Sequence, residues 1–268
     1  MSWNLIRKEL KLNRTLFIVW TAIIVGLILL TMALYPIMFE ASSGMSAIME
    51  NYPEELAKAF SMDIDTFTKP LGFYMTYNIV YTLVLGSIFA ATLASRIAHK
   101  EEAQKTTEFL LAQPLSRASV ILSKIAAFLI YIFALNLVVY LASVLSMSAF
   151  VSESYNQTSL LIIVIYGLLL MLCFGGIALI ISLFMRRMRS FTGPAIGIVL
   201  AAYFIDVLAK IADKYDALGY ISPFKFVDPA ATSADFSFTW WRVLYFVGII
   251  LVTLLASVLI YRKKDIYV

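Results

Sequence analysis

The stretch LLIIVIYGLLLMLCFGGIALIISLF, Leu160 to Phe184, runs for 25 residues without a charged side chain. About 20 apolar residues in a helix are enough to cross the hydrocarbon core of a bilayer. Further apolar runs lie on both sides of it, at Leu16–Met38, Leu71–Ala94, Val120–Val144, Phe191–Leu208 and Trp240–Tyr261. The sequence therefore predicts an all-α, polytopic membrane protein with six transmembrane helices.

The composition of the chain agrees with this prediction. Of the 268 residues, 62% are hydrophobic and 14% are charged, whereas a typical soluble domain has about 25% charged residues. No stretch outside the six runs is long enough for an independent soluble domain, so we expect one transmembrane domain over residues 1–268. The first run exceeds the apolar region of a signal peptide, so we expect it to be retained.

Basic residues occur in blocks that alternate along the chain. Four segments, together with Lys124 at the start of span three, hold 15 of the 21 basic residues: the N-terminus, the loop between spans two and three, the turn between spans four and five, and the C-terminal tail. The other three loops, together with Asp206 near the outer end of span five, hold twelve of the 17 acidic residues. Since lysine and arginine concentrate in cytoplasmic loops, the pattern predicts a multi-pass membrane protein with both termini in the cytoplasm. The resemblance described at the end of this section implies that this membrane is the cell membrane of a bacterium.

Two segments outside the spans have a pattern of their own. Residues 1–14 place apolar and basic side chains on opposite sides of a helical wheel, which predicts an amphipathic helix in the membrane interface; the apolar side holds Trp3, Ile6, Leu10 and Phe17, and the basic side Arg7, Lys11 and Arg14. A frayed basic tail is the alternative.

Residues 215–239 are too aromatic for an open loop, so we expect short re-entrant pieces packed against the spans on the outer side.

Polar residues in span two recur at helical spacing. Tyr74, Tyr77, Asn78 and Tyr81 form one stripe of phenols and an amide. Such a stripe can line a path for an amphiphilic substrate, because it offers apolar faces together with hydrogen bonds. The alternative is that these tyrosines belong to the outer aromatic belt of the membrane.

Span five has small residues at every fourth position, Gly193, Gly197 and Ala201. Small residues at this spacing allow two helices to approach closely, and the neighbour would be another span or a second copy of the chain. Asp206 and Lys210 lie four residues apart near the outer end of the same helix and can form an ion pair. Ionisable groups at membrane depth are candidates for function. These two lie close to the outer edge, which favours the alternative that they snorkel to the interface as a pair.

The loop between spans two and three predicts a short, stiff helix over residues 99–114. Glu101 and Lys105 have the favourable orientation of a pair four residues apart. Pro114 prevents the helix from continuing, and Ser116 is a candidate cap for the next span. A passive linker would need neither the charged helix nor the proline.

Catalytic chemistry is not expected in this chain. The sequence has no G-x-x-x-x-G-K-[ST] phosphate loop, and one histidine with one cysteine, Cys173, provides no zinc cluster and no Cys–His dyad. We therefore predict no catalytic residue, no metal and no cofactor bound by this chain, and no nucleic-acid partner.

The loop resembles the first cytoplasmic loop of the type-2 ABC transporter permeases, the membrane subunits of many bacterial exporters. The shared pattern is E-x-x-x-x-T-x-E-x-L-L-x-x-P-x-S-R, from Glu101 to Arg117. The resemblance extends over the whole chain, including Ser222-Pro223-Phe224 and the tail from Tyr261 to Asp265. Lys105 and Ala103 depart from the family, which often has glycine and glutamate there.

This resemblance implies that residues 99–114 are a coupling helix in a groove of a separate cytoplasmic ATPase subunit, which binds ATP and Mg. It also implies a second permease copy, identical or related, and contact with membrane lipid. The residues expected to couple the two subunits are Glu101, Glu102, Thr106, Glu108, Phe109, Leu111, Pro114 and Arg117. The expected function is that of the permease subunit of an ATP-driven exporter.

Two other functions fit the sequence less well. A secondary transporter usually has ionisable residues or broken helices near the membrane midplane, and this chain has no acidic residue in the middle of a span. The other alternative is a non-transporting sensor or scaffold that uses an ATPase to transmit force, and the sequence is compatible with it.

Overall fold

All six apolar runs form helices. The computed structural model describes residues 1–40, 69–103, 116–184, 192–211, 213–227 and 239–263. Its longer helices are α1 (Trp3–Glu40), α2 (Pro70–Asn78), a π-helix (Ile79–Leu85), α3 (Gly86–Ala103), α4 (Arg117–Phe150), α5 (Gln157–Phe184), α6 (Thr192–Ile211) and α8 (Trp240–Lys263), and the short α7 is Asp216–Gly219. Six candidate spans result, with α2, the π-helix and α3 forming span two. The six-span prediction is confirmed.

Span two and α5, which is span four, form the centre of the bundle. Their most apolar windows are 82% and 72% buried, whereas those of α1, α6 and α8 are only 22%, 22% and 17% buried. Span two packs most extensively on α5, while α1 packs on α4 and α8 packs on α5. The peripheral helices therefore turn wide apolar faces away from the chain, as helices in contact with lipid or with another subunit do.

Span two contains a π-helix between two α-helices. In a π-helix the backbone hydrogen bonds join residues five apart, and such segments occur frequently at functional sites. Here it begins directly after Asn78 and ends at Leu85, the residue before Gly86. Gly86 allows a close approach to α5, because a Cβ atom at this position would overlap the side chain of Met171.

The N-terminal segment is not a separate helix. Residues 1–14 were expected to form an interfacial helix, but α1 continues without a break from Trp3 to Glu40. The sequence has no glycine or proline between this segment and span one, so nothing in it ends the first helix. The predicted basic side is exposed. Of the predicted apolar side, Ile6 is buried but Trp3 is exposed. The location of this segment at the membrane interface stays a prediction.

The described part of the segment 215–239 folds into short helical pieces packed against the spans. Asp213–Tyr215 and Pro223–Phe226 are 3₁₀ turns on either side of α7. The ring of Phe224 lies 5.3 Å from that of Phe174 and 5.6 Å from that of Tyr203. The described residues of the segment therefore contact the spans, and its re-entrant placement on the outer side stays a prediction.

Two glycines of α5 lie where neighbouring helices leave no room for a side chain. A Cβ atom at Gly175 would overlap the buried ring of Phe128 in α4, and one at Gly176 would overlap Thr253 in α8. No atom of the described chain lies within 4 Å of the corresponding point at Gly248, which is exposed. Span four therefore packs on two neighbours through adjacent glycines.

We expect Gly175→Ala to lower the stability of the folded chain by about 1–3 kcal/mol, since overpacking a buried contact costs that much. The midpoint of thermal unfolding in detergent measures the effect. The matched control is Gly248→Ala, which should leave the midpoint unchanged or raise it slightly. Equal midpoints for the two variants would contradict the close contact of α4 and α5.

Candidate functional site

A narrow cleft lies between α1 and the first half of span two. Its lining consists of Ile28, Thr31 and Met32 of α1 with Tyr74, Tyr77, Asn78 and Tyr81 of span two. All four residues of the predicted stripe therefore lie on one cleft. The volume open to the centre of a water molecule is about 10 Å³, which is room for about one water.

The members of the stripe have different surroundings. The Tyr74 hydroxyl and Ser143 Oγ of α4 lie 2.8 Å apart in a buried hydrogen bond, so this side chain packs against α4. The rings of Tyr77 and Tyr81 are stacked at 21°, with centroids 6.1 Å apart. The Asn78 side chain is buried, and neither of its amide atoms has a hydrogen-bond partner within the described ranges.

A second polar site joins the start of α1 to the end of α3. Lys100 Nζ lies 2.8 Å from both carboxylate oxygens of Glu9, and the Glu9 side chain is completely buried. Asn13 Nδ2 donates to the Glu9 backbone oxygen at 2.9 Å. Burying a carboxylate is costly unless it is paired and hydrogen-bonded, and Glu9 has both kinds of contact here.

The start of α4 is held at the same end of the bundle. Lys124 is buried, and its Nζ donates to the backbone oxygen of Ile97 in α3 at 2.6 Å. The backbone nitrogen of Ser2 donates to Ser123 Oγ at 2.8 Å. We call the set Ser2, Glu9, Asn13, Lys100, Ser123 and Lys124 the N-terminal joint. Because α3 ends and α4 begins here, the joint fixes both ends of the loop between them to α1.

Sequence reasoning missed the N-terminal joint. It read Lys100 and Lys124 only as members of a basic loop. One signal could have drawn attention to the joint, since Glu9 is the only acidic residue in the first 39 positions. A single carboxylate in a basic helix implies a specific partner, but nothing local identifies that partner as a lysine 91 residues away.

The predicted coupling residues lie mostly outside the described ranges. Glu101 and Glu102 belong to the last turn of α3, so residues 99–103 continue the helix of span two instead of starting a new one. Arg117 is the exposed first residue of α4, and Ser116 caps that helix as predicted, since its Oγ accepts from Ser119 N at 3.2 Å. The remaining members lie outside the described residues; these are Thr106, Glu108, Phe109, Leu111 and Pro114.

The small residues of α6 make no close contact within the described chain. Gly193, Gly197 and Ala201 are exposed, and apart from the neighbouring backbone of α6 itself, no described atom lies within 4 Å of the point that a Cβ would occupy at either glycine. Their role as helix contacts stays a prediction that needs a second chain. On the same helix, Lys210 Nζ lies 2.5 Å from a carboxylate oxygen of Asp206, so the predicted ion pair forms.

The whole chain matches one protein family. The family is described as ABC-2 family transporter protein, and the match covers residues 3–266. No curated protein matches the chain in sequence.

Proposed function

We propose that this chain forms the export path of a transporter and is driven by a separate ATPase subunit. The chain belongs to the ABC-2 transporter family and is thereby a membrane permease subunit of an ABC transporter. The observation that carries the proposal is the family match over residues 3–266. ATP and Mg would be bound by the partner, since the sequence has no phosphate loop of its own.

The loop between α3 and α4 is the contact that we propose for the ATPase. It carries the charged residues of the sequence pattern, and α3 extends directly into it as far as Ala103. The N-terminal joint supports this role, because a force applied to the loop reaches α1, α3 and α4 together. In the proposed orientation this end of the bundle and both termini face the cytoplasm, as the basic blocks predict.

The export path is proposed to include the cleft of span two. The cleft combines three tyrosines and an amide with the apolar wall of α1, which suits an amphiphilic cargo. A second permease copy is proposed to pack on the small residues of α6, whose exposed positions would allow two backbones to approach closely.

The proposal is tested by isolating the tagged chain from its own host membranes and identifying what accompanies it. We expect an ATPase subunit without membrane spans, and an ATP turnover in nanodiscs that is lost when the loop 104–115 is replaced by a glycine–serine linker of equal length. Isolation of the chain without an ATPase under conditions that keep its oligomer intact would contradict the proposal. An ATPase that turns over without any cargo flux would favour the sensor or scaffold.

A further inference from the structure

The Asn78 side chain is the unexplained polar group of the cleft. It is only 2% exposed, and neither Oδ1 nor Nδ2 has a hydrogen-bond partner among the residues that the structure describes. An unsatisfied buried polar group costs free energy, and most buried polar groups in proteins are paired. A residue that carries this cost while lining a cleft points to a ligand that satisfies it.

The other polar groups of the cleft do not meet this need. The hydroxyl of Tyr74 is already engaged with Ser143. Tyr77 and Tyr81 present stacked rings, and the α1 wall is formed by Ile28, Thr31 and Met32. None of the described lining residues is charged. An ion in this cleft would therefore lose its hydration without gaining a counter-charge.

We propose that Asn78 binds an uncharged amide group of an amphiphilic cargo, with the rings of Tyr77 and Tyr81 against the adjoining apolar part. This inference rests on the proposed export function. A primary amide fits because it donates and accepts at the same time, as the Asn78 side chain does. A carboxylate can only accept and a quaternary ammonium can do neither, so both should be rejected.

Entry of such a group requires a change in the cleft. Its present room is for about one water, which is less than an amide group with its alkyl chain occupies. The α1 wall belongs to a peripheral span, and the π-helix begins at the residue after Asn78. We therefore place the opening between α1 and α2.

The test uses the complete transporter in nanodiscs and a dodecanamide that carries a diazirine on its alkyl chain. After photolysis, we expect labelled peptides from α1 around Met32 and from span two around Tyr81. Unlabelled dodecanamide should compete, whereas dodecanoate and dodecyltrimethylammonium of the same chain length should compete at least tenfold less well. Equal competition by the three compounds, or labelling elsewhere only, would overturn the inference.

Two variants separate recognition by Asn78 from general effects. Asn78→Leu should reduce specific labelling at least tenfold and leave the thermal midpoint equal or higher, because it removes an unsatisfied amide. Asn136→Leu is the matched control, since Asn136 is a buried amide of α4 that does not line the cleft, and it should keep the labelling. Unchanged labelling in Asn78→Leu contradicts the inference. Presence of the ATPase in the same preparation shows whether the proposed function itself holds.

Discussion

Reversal of two loop charges, Glu101→Lys together with Glu108→Lys, should release the ATPase subunit or leave its turnover uncoupled from transport. Both carboxylates are expected to face basic or hydrogen-bonding groups of the partner. Like charges across an interface cost several kcal/mol, and each 1.4 kcal/mol is a factor of about ten in affinity. We therefore expect binding to weaken by about a hundredfold or more, measured by pull-down of the ATPase and by its turnover in nanodiscs.

Two control variants test whether the effect depends on charge reversal in this loop. Glu101→Gln removes one charge without reversing it and should cost about 1 kcal/mol or less. Glu153→Lys reverses an exposed carboxylate between α4 and α5, at the opposite end of the bundle, and should leave ATPase binding unchanged. If the double variant keeps binding, stimulated turnover and transport, the loop is an ordinary solvated connection and its coupling role is wrong.

Replacement of Glu9 by glutamine should destabilise the chain more than any single substitution on its surface. The change keeps the shape of the side chain but leaves the Lys100 ammonium, of which only 10% of the side chain is exposed, facing a neutral group. Breaking a buried ion pair from one side costs about 3–5 kcal/mol. On the scale of soluble domains of 150–250 residues, this corresponds to roughly 6–20 °C in the midpoint of thermal unfolding.

The double variant Glu9→Met with Lys100→Met is the matched comparison. Replacing both members of a buried ion pair by apolar residues is often neutral for stability, so the midpoint should recover most of the loss. Transport by this double variant then shows whether the N-terminal joint has a role beyond stability. Recovery of stability without recovery of transport would indicate that the charged contact contributes to coupling as well as to folding. A Glu9→Gln midpoint within experimental error of the wild type would show that the pair is not a stabilising contact.

The features that the sequence predicted correctly are local ones. Span lengths follow from apolar runs, the cap at Ser116 from a serine before a helix, and the Asp206–Lys210 pair from a spacing of four. Such patterns depend on residues within one or two turns of each other, so periodicity is enough to find them. The stripe of span two also follows from periodicity, and the structure brings its four residues to one cleft.

Features that depend on distant contacts could not be predicted. The Glu9–Lys100 pair joins helices that only the folded bundle brings together, and the packing of Gly175 on Phe128 depends on how α5 crosses α4. The wheel placed Trp3 and Ile6 on one apolar side of the helix, but in the structure Ile6 is buried and Trp3 is exposed. The π-helix has no signal in composition, because its residues would suit an α-helix equally well.

The π-helix has a consequence for the alignment of the two halves of span two. In an α-helix each residue adds a rotation of about 100° and a rise of 1.5 Å. Conversion of Ile79–Leu85 to regular α-geometry would therefore change the phase of everything that follows, turning the end of α3 relative to Asn78. A change between π- and α-geometry in this segment would therefore rotate and shift Lys100 relative to the cleft. Span two could make this movement without unfolding.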